Sequence, residues 1–316
     1  MTDFEKKIKR ITSPLPGSIP QTVIYKLSVK LRNDGLTIIE LYSKAFPLIK
    51  IDVWLQKIKL GLLTVNGDTC EPKLILKAGW MTENIVHNKT EPNVSNTIKL
   101  IFEDDDLIVL DKPSPLPMHP SGRFNRNSLT EILKLAFPER EFKIVHRLDA
   151  NTTGVILLAK NTKSANSISQ QFQSNSIKKE YIALVEGILL EDSQVITEKI
   201  GTDKTSSGGR LLSESGQISE TKITVIKRDT SSNQTLLKVE PKNGRTNQIR
   251  LHLTSINHPI VGDHGYKDQT YFKNNPLTYP EDSLFLHAHK IILTHNGTEK
   301  QFIAKIPLKF SNKISI

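Results

Sequence analysis

A single cysteine, Cys70, in 316 residues excludes an internal disulfide framework and any zinc site built on several thiolates. It is expected to be a passive thiol in a reducing compartment. Long apolar runs are missing too, and no stretch approaches the roughly 20 residues a membrane-spanning helix requires. The amino terminus, MTDFEKKIKR, has no apolar core of the kind that opens a secretory signal. A soluble, cytoplasmic protein with no membrane partner is expected, and a monomer is the expected state.

Positive charge is in surplus. Lys and Arg number 43 against 33 Asp and Glu, a formal net charge of +10. Such a surplus is either a solvated surface or the footprint of an anionic partner. The length allows a sizeable core and suggests a main domain with one small accessory domain. Two breaker-rich stretches, ITSPLPGSIP (11–20) and NKTEPNVSN (88–96), bracket a small N-terminal unit and divide the chain into residues 1–91 and 92–316. Residues 1–91 carry 14 Lys and Arg against 9 Asp and Glu, half of the net charge.

Inside that unit, IDVWLQKIKLGLLTVNGDTCEPKLILKAGW (51–80) sets Ile51, Trp54, Leu55 and Ile58 at helical spacing. The helix stops at Gly61, and LLTVNG leads into a turn. Lys57 and Lys59 leave the helix available to phosphates. Residues of about 45–82 resemble the S4 RNA-binding domain, a small α/β unit in which a short helix and the strand after it present basic side chains to structured RNA. A small packing domain with solvated lysines is the other reading.

Further along, IKLIFEDDDLIVLDKP (98–113) reads as two strands joined by an acidic turn, Asp104 to Asp106, whose carboxylates cap backbone amides. SLTEILKLAFPER (128–140) has Ser128 and Glu131 at capping-box spacing, with Leu129, Ile132, Leu133, Ala136 and Phe137 on one face. A second amphipathic helix, on Ala165, Ile168 and Phe172, covers 161–177. Strands are expected at 179–187, 220–228 and 235–241, and a short helix at 246–256. The glycine- and serine-rich stretch 203–217 is expected to be a mobile loop and a candidate ligand flap. This mixture predicts an α+β fold on a mixed, largely antiparallel sheet rather than a doubly wound parallel one.

The chemistry concentrates in IVHRLDANTTGVILLAK (144–160), where a loop carrying His146, Arg147 and Asp149 is slung between two strands. Rigid strands flanking a polar loop are a common setting for reactive groups. Protein kinases share the HRLD string, but this chain has no glycine-rich phosphate loop, no VAIK-type lysine and no Asp-Phe-Gly, which excludes a kinase. On its own, Asp149 is either a turn cap or a reactive carboxylate.

Five blocks in order change that weighting: DKPSPLPMHPSGR, HRLDANTTGVILLAK, KKEYIALVEG, NGRTNQIRLHLTSINHPIVGD and LHAHKI. Over about residues 98–310 the chain resembles the RluA family of pseudouridine synthases. The resemblance implies a pseudouridine synthase catalytic domain over 92–316, with the S4-like unit as a frequent N-terminal partner. It implies isomerisation of uridine in structured RNA, ribosomal ahead of transfer RNA, without cofactor or metal.

By the same resemblance Asp149 is the catalytic carboxylate, as a nucleophile on the sugar or in an elimination through a glycal. Arg250 pairs with it, and Tyr181 stacks on the target uracil. The base must leave its stack to reach a buried carboxylate, and Arg147 fills the space it vacates. His146 either contacts RNA or supports the loop. Arg245 and Asn247 are expected on the RNA. Asn247 stands where the family usually carries histidine, keeping a donor and an acceptor but no positive charge. His252, His258, His264, His287 and His289 are expected to be structural or RNA-facing. Two rivals stand: a silent RNA binder, and a nucleoside hydrolase, which would need a second carboxylate beside Asp149.

Overall fold

The structure, a computed structural model, describes residues 1–203, 209–267 and 284–314. Two compact units are present, Gly17–Glu91, and Met1–Pro16 together with Pro92–Ile316. The first helix, α1 (Asp3–Ile11), opens on a capping box: Thr2 Oγ1 accepts the Glu5 N–H at 3.2 Å, and the Glu5 carboxylate accepts the Thr2 N–H at 2.8 Å. Phe4 and Ile8, one turn apart, are buried in the larger unit's core, where Phe4 stacks on Phe137 with ring centroids 5.0 Å apart. The expectation that residues 1–91 form one unit is corrected here. Residues 1–16 belong to the larger unit because the apolar stripe of α1 finds its cover there.

The smaller unit contains β1 (Gln21–Ser28), α2 (Ile38–Ala45), α3 (Ile51–Lys59), β2 (Leu63–Val65), β3 (Asp68–Thr69) and β4 (Met81–Lys89), with the strands in the order β1-β4-β2-β3. Its core gathers Tyr42, Trp54, Ile58, Leu63 and Leu76. Asn66 and Gly67 both have positive φ, 52° and 91°, and form the two-residue turn of the β2–β3 hairpin. Only half of the expected stripe on α3 is buried. Trp54 and Ile58 face the core, whereas Ile51 and Leu55 are 48% and 38% exposed.

Lys57 also departs from expectation. Its ammonium donates to Asn84 Oδ1 at 2.7 Å and to the Ile85 carbonyl at 3.0 Å, and burial lowers its pKa. It braces α3 against β4 and is not presented to phosphate. Lys59 is exposed.

In the larger unit follow β5 (Lys99–Glu103), β6 (Leu107–Lys112), α4 (Leu129–Ala136), β7 (Lys143–Ile144), β8 (Thr153–Ala159), α5 (Thr162–Gln173), β9 (Lys178–Glu186), β10 (Ser193–Ile200), β11 (Gln217–Asp229), β12 (Gln234–Pro241), α6 (Gln248–Ser255), α7 (His264–Lys267), β13 (Leu286–His295) and β14 (Thr298–Ile303). The strands form one sheet in the order β10-β11-β12-β9-β13-β8-β6-β5, with β14 on β13 and β7 on β8. Among the described residues β13 against β8 is parallel, with His287 opposite Thr153 and Ala288 opposite Gly154, and the other pairings are antiparallel. The architecture is thus α+β on a mixed, largely antiparallel sheet, as the sequence led one to expect.

The unbroken apolar runs of β6 and β8 have a direct cause: both strands are covered on two faces. Ile108, Leu110, Ile156 and Leu158 pack with α4, while Leu107, Val109, Val155 and Leu157 pack with Ile168 of α5 and with β13. Asp104 caps the acidic turn, accepting the N–H groups of Asp106 and Leu107 at 3.0 and 2.8 Å. The capping box expected at Ser128 does not form, and Ser128 Oγ instead donates to the Asn125 carbonyl at 3.3 Å. Of the expected flap, residues 204–208 lie outside the described residues.

Gly154, where β8 meets β13, has φ +112°, and a Cβ there would run into the Ala288 carbonyl and lie 2.8 Å from the Ala288 nitrogen. Neither conformation nor space admits a side chain. Gly154→Ala is expected to cost about 2–4 kcal/mol of stability, read as a lower urea midpoint. An unchanged midpoint would contradict this account of the β8–β13 pairing.

Candidate active site

The loop between β7 and β8 carries Asp149, and buried groups hold it from below. Lys112 is fully buried, and its ammonium donates to the carbonyls of Pro113, Leu116 and Ala150 at 3.0, 2.9 and 3.1 Å. Three acceptors for three hydrogens make that burial tolerable. The Leu116 N–H reaches the Ala150 carbonyl at 2.9 Å, and the Thr152 N–H closes a turn onto the Asp149 carbonyl at 3.1 Å. Leu148 is buried beneath, and Arg147 projects outward.

His146 is a brace. Its Nε2 accepts the Leu157 N–H at 2.9 Å, and its ring stacks on Phe172 at 4.6 Å. Burial, reinforced by the charge of Lys179, pushes its pKa down to about 3. The ring is neutral, and its Nε2 contact with the backbone favours the loop-support reading.

The Asp149 carboxylate, 34% exposed, takes two hydrogen bonds on one oxygen. Asn247 Nδ2 donates to Oδ2 at 2.7 Å and Arg250 Nη1 donates to the same atom at 3.2 Å. Arg250 turns its other donors away: Nε and Nη2 bind Asp263 Oδ2 and Oδ1 at 2.7 and 2.8 Å. The Asp263 side chain is 1% exposed and that of Arg250 16%, so this is a buried bidentate pair. The Tyr266 ring lies 4.7 Å from the guanidinium carbon. Burial opposes the charge on Arg250, but Asp263, then Asp149 and Tyr266, outweigh it and raise its pKa. Arg250 is a permanent cation.

Tyr181, on β9, is within electrostatic reach of Asp149. Burial first, and the Asp149 charge second, raise the pKa of its phenol, which stays protonated. The loop leading into α6 is held as firmly as the one carrying Asp149. Lys179 Nζ donates to the carbonyls of Asn243 and Lys242 at 2.8 and 3.3 Å, the Glu220 N–H donates to Asn243 Oδ1 at 2.9 Å, and the Arg245 N–H donates to Gln248 Oε1 at 3.0 Å.

Asp149 and Arg250 therefore meet directly, with Tyr181 beside them. Asn247, expected on the RNA, donates its side-chain amide to Asp149 Oδ2. Arg147 and Arg245 are exposed, with no ion pair to either side chain among the described residues. Sequence reasoning missed Asp263, Tyr266 and Lys112. The signal for Asp263 was a lone carboxylate closing the apolar segment HPIVGD.

Residues 106–255 match the family described as RNA pseudouridylate synthase. The ribosomal large subunit pseudouridine synthase C of Haemophilus influenzae is 33% identical over 266 residues, covering 79% of this chain and 81% of that protein. The chain belongs to the RNA pseudouridylate synthase family. A mitochondrial tRNA pseudouridine(32) synthase of Saccharomyces cerevisiae is 31% identical over 272 residues, which span 84% of this chain but 58% of the yeast protein's length. A solved structure of human RNA pseudouridylate synthase domain containing 1 shares the fold, with a TM-score of 0.56 and 23% identity over 69% of this chain and 87% of that one.

The chain is thus an enzyme that isomerises uridine to pseudouridine in RNA. Asp149, Tyr181, Asn247 and Arg250 fall inside the matched segment, whereas Asp263 and Tyr266 lie beyond it. Among the described residues no helix of this synthase is long and apolar enough to cross a membrane.

Several histidines of the synthase stiffen the sheet. His252 Nε2 meets Ser219 Oγ at 2.9 Å and His287 Nδ1 meets Thr153 Oγ1 at 2.8 Å. His258 Nδ1 sits 2.8 Å from the Glu186 carbonyl and His289 Nδ1 2.9 Å from that of Ala304. Burial pushes His252 and His287 down to about 4. With His146 near 3, these groups are neutral when folded and protonate near the ordinary histidine value of 6.5 when unfolded. The unfolded chain binds more protons in that window, so stability is complete above about pH 6.5 and falls on acidification toward pH 3–4. The urea midpoint is expected to drop between pH 7.5 and 5, less steeply in His146→Phe. A midpoint that rises on acidification would overturn the neutral-histidine assignment.

Proposed function

We propose that Asp149 is the carboxylate that works on the ribose of a uridine in structured RNA, with ribosomal RNA ahead of transfer RNA. The supporting observation is the asymmetry of the two carboxylates around Arg250. Asp263 is buried with both oxygens committed, whereas Asp149 is partly exposed with one oxygen uncommitted.

The isomerisation breaks the N1–C1′ bond and forms C1′–C5. The C5 hydrogen leaves as a proton, and N1 gains one. Atoms balance without an oxidant or reductant. Asp149 acts either by attacking C1′ or by accepting the proton at C2′, and both roles need an ionised carboxylate. Arg250 supplies the counter-charge. Tyr181 is the platform for the flipped uracil, and Arg147, exposed on the same loop as Asp149, occupies the gap it leaves.

Arg245 and Lys59 are offered to phosphate, and residues of about 45–82, within the smaller unit, serve as an RNA-binding domain of S4 type. The preference for ribosomal RNA rests on coverage, since the match spans 81% of the ribosomal relative against 58% of the transfer-RNA one. The lone cysteine fits a cytoplasmic setting, and the enzyme acts as a monomer.

Asp149→Asn is expected to abolish tritium release from RNA labelled with [5-³H]uridine while leaving RNA affinity largely intact. Substantial release by that variant would overturn the assignment. In the smaller unit, Lys59→Ala should lower the slope of log K against log salt by about 0.7–0.9. Lys57→Ala should instead lower thermal stability, by about 1–2 kcal/mol, through the loss of two partly buried hydrogen bonds. An unchanged salt slope in Lys59→Ala would remove that residue from the RNA interface.

A further inference from the structure

We propose that Asn247 is a positioning residue that selects which oxygen of Asp149 does the chemistry. The proposal rests on the reading of Asp149 as the catalytic carboxylate. The χ2 torsion of an aspartate is soft and nearly two-fold, so the two oxygens of a free side chain exchange places. Here both donors converge on Oδ2, while Oδ1 accepts no hydrogen bond among the described residues. The reacting atom is therefore Oδ1.

Arg250 does not set this orientation alone. Its Nε and Nη2 belong to Asp263, and the remaining Nη1 reaches Oδ2 at 3.2 Å, against 2.7 Å for the Asn247 amide. The shorter contact is the asparagine's. Its backbone explains the residue type: Asn247 has φ 57°, a left-handed conformation at the head of α6 that asparagine tolerates better than most side chains. The preceding loop is pinned through Asn243 and through the Arg245–Gln248 contact, and the Asp149 loop through Lys112. Two rigid segments thus meet at Asp149 Oδ2, through this amide at the shorter distance and the Arg250 guanidinium at the longer. The other charged or titratable groups facing Asp149 are Arg250 on α6, Tyr181 on β9 and Tyr266 on α7, with Asp263 behind Arg250.

Two substitutions test this in the full chain by single-turnover tritium release. Asn247→Gly keeps the positive φ and removes the amide. It should lower the saturating rate roughly 10- to 100-fold, as expected for a reacting group left unoriented, with little change in the RNA concentration that half-saturates. Asn247→Asp keeps the size but sets a second carboxylate against Oδ2. It should move the acidic limb of the rate profile up by about one pH unit or more.

A glycine variant whose rate stays within about twofold of the parent, or whose loss lies wholly in half-saturation, overturns the proposal. So does an aspartate variant with an unmoved acidic limb, and this second readout decides the matter if the glycine variant folds poorly. Near-parental Asn247 variants beside an inactive Asp149→Asn refute the positioning role alone. An active Asp149→Asn refutes the catalytic reading beneath it.

Discussion

The buried pair between Arg250 and Asp263 is the interaction on which the site depends. A guanidinium this far from water is tolerated only with its charge matched and its donors taken. Asp263 does both, in a two-point grip that fixes the plane of the guanidinium as well as its position. The third nitrogen, Nη1, is left over, and it points at Asp149. Tyr266, stacked against the same group, closes another side. The buried aspartate thus acts on Asp149 without touching it, by holding the cation that both share.

The sheet supplies the stiffness that this geometry needs. Asp149 leaves the sheet just before β8, a strand buried on both faces and paired with β13 at a glycine that leaves no room for a side chain. Lys112, at the end of β6, fastens the same loop through the Ala150 carbonyl. Side chains placed by strands in this way lose little freedom when substrate arrives, so binding energy is not drained into ordering them. Arg147 and Arg245, by contrast, are exposed.

Much of the frame was legible in the chain because it is local. Apolar runs in β6 and β8, the helical stripes of α4 and α5, and the Asn66–Gly67 turn each follow from residues a few positions apart. The site was legible only through resemblance, since the contact between Asp149 and Asn247 spans 98 positions and that between Asp149 and Arg250 spans 101. The errors share a cause as well. Lys57 read as a solvated helix lysine because β4, which takes its hydrogen bonds, lies 27 residues away. Ser128 and Glu131 had the spacing of a capping box but not its hydrogen bonds, whereas Thr2 and Glu5 formed one in a segment read only for its lack of apolar residues. The contact of Asn247 with Asp149 went unread because the residue's charge was weighed and its left-handed backbone was not.

Whether Asp149 carries the isomerisation is decided by pseudouridine mapping. Total RNA from cells carrying the parent protein is labelled with carbodiimide and read by primer extension beside RNA from cells carrying Asp149→Asn at equal expression. The account predicts at least one modified uridine that disappears in the variant, set in a structured region of ribosomal RNA. Identical maps, with the parent's modified site intact in the variant, would contradict the assignment of Asp149 and the site built around it.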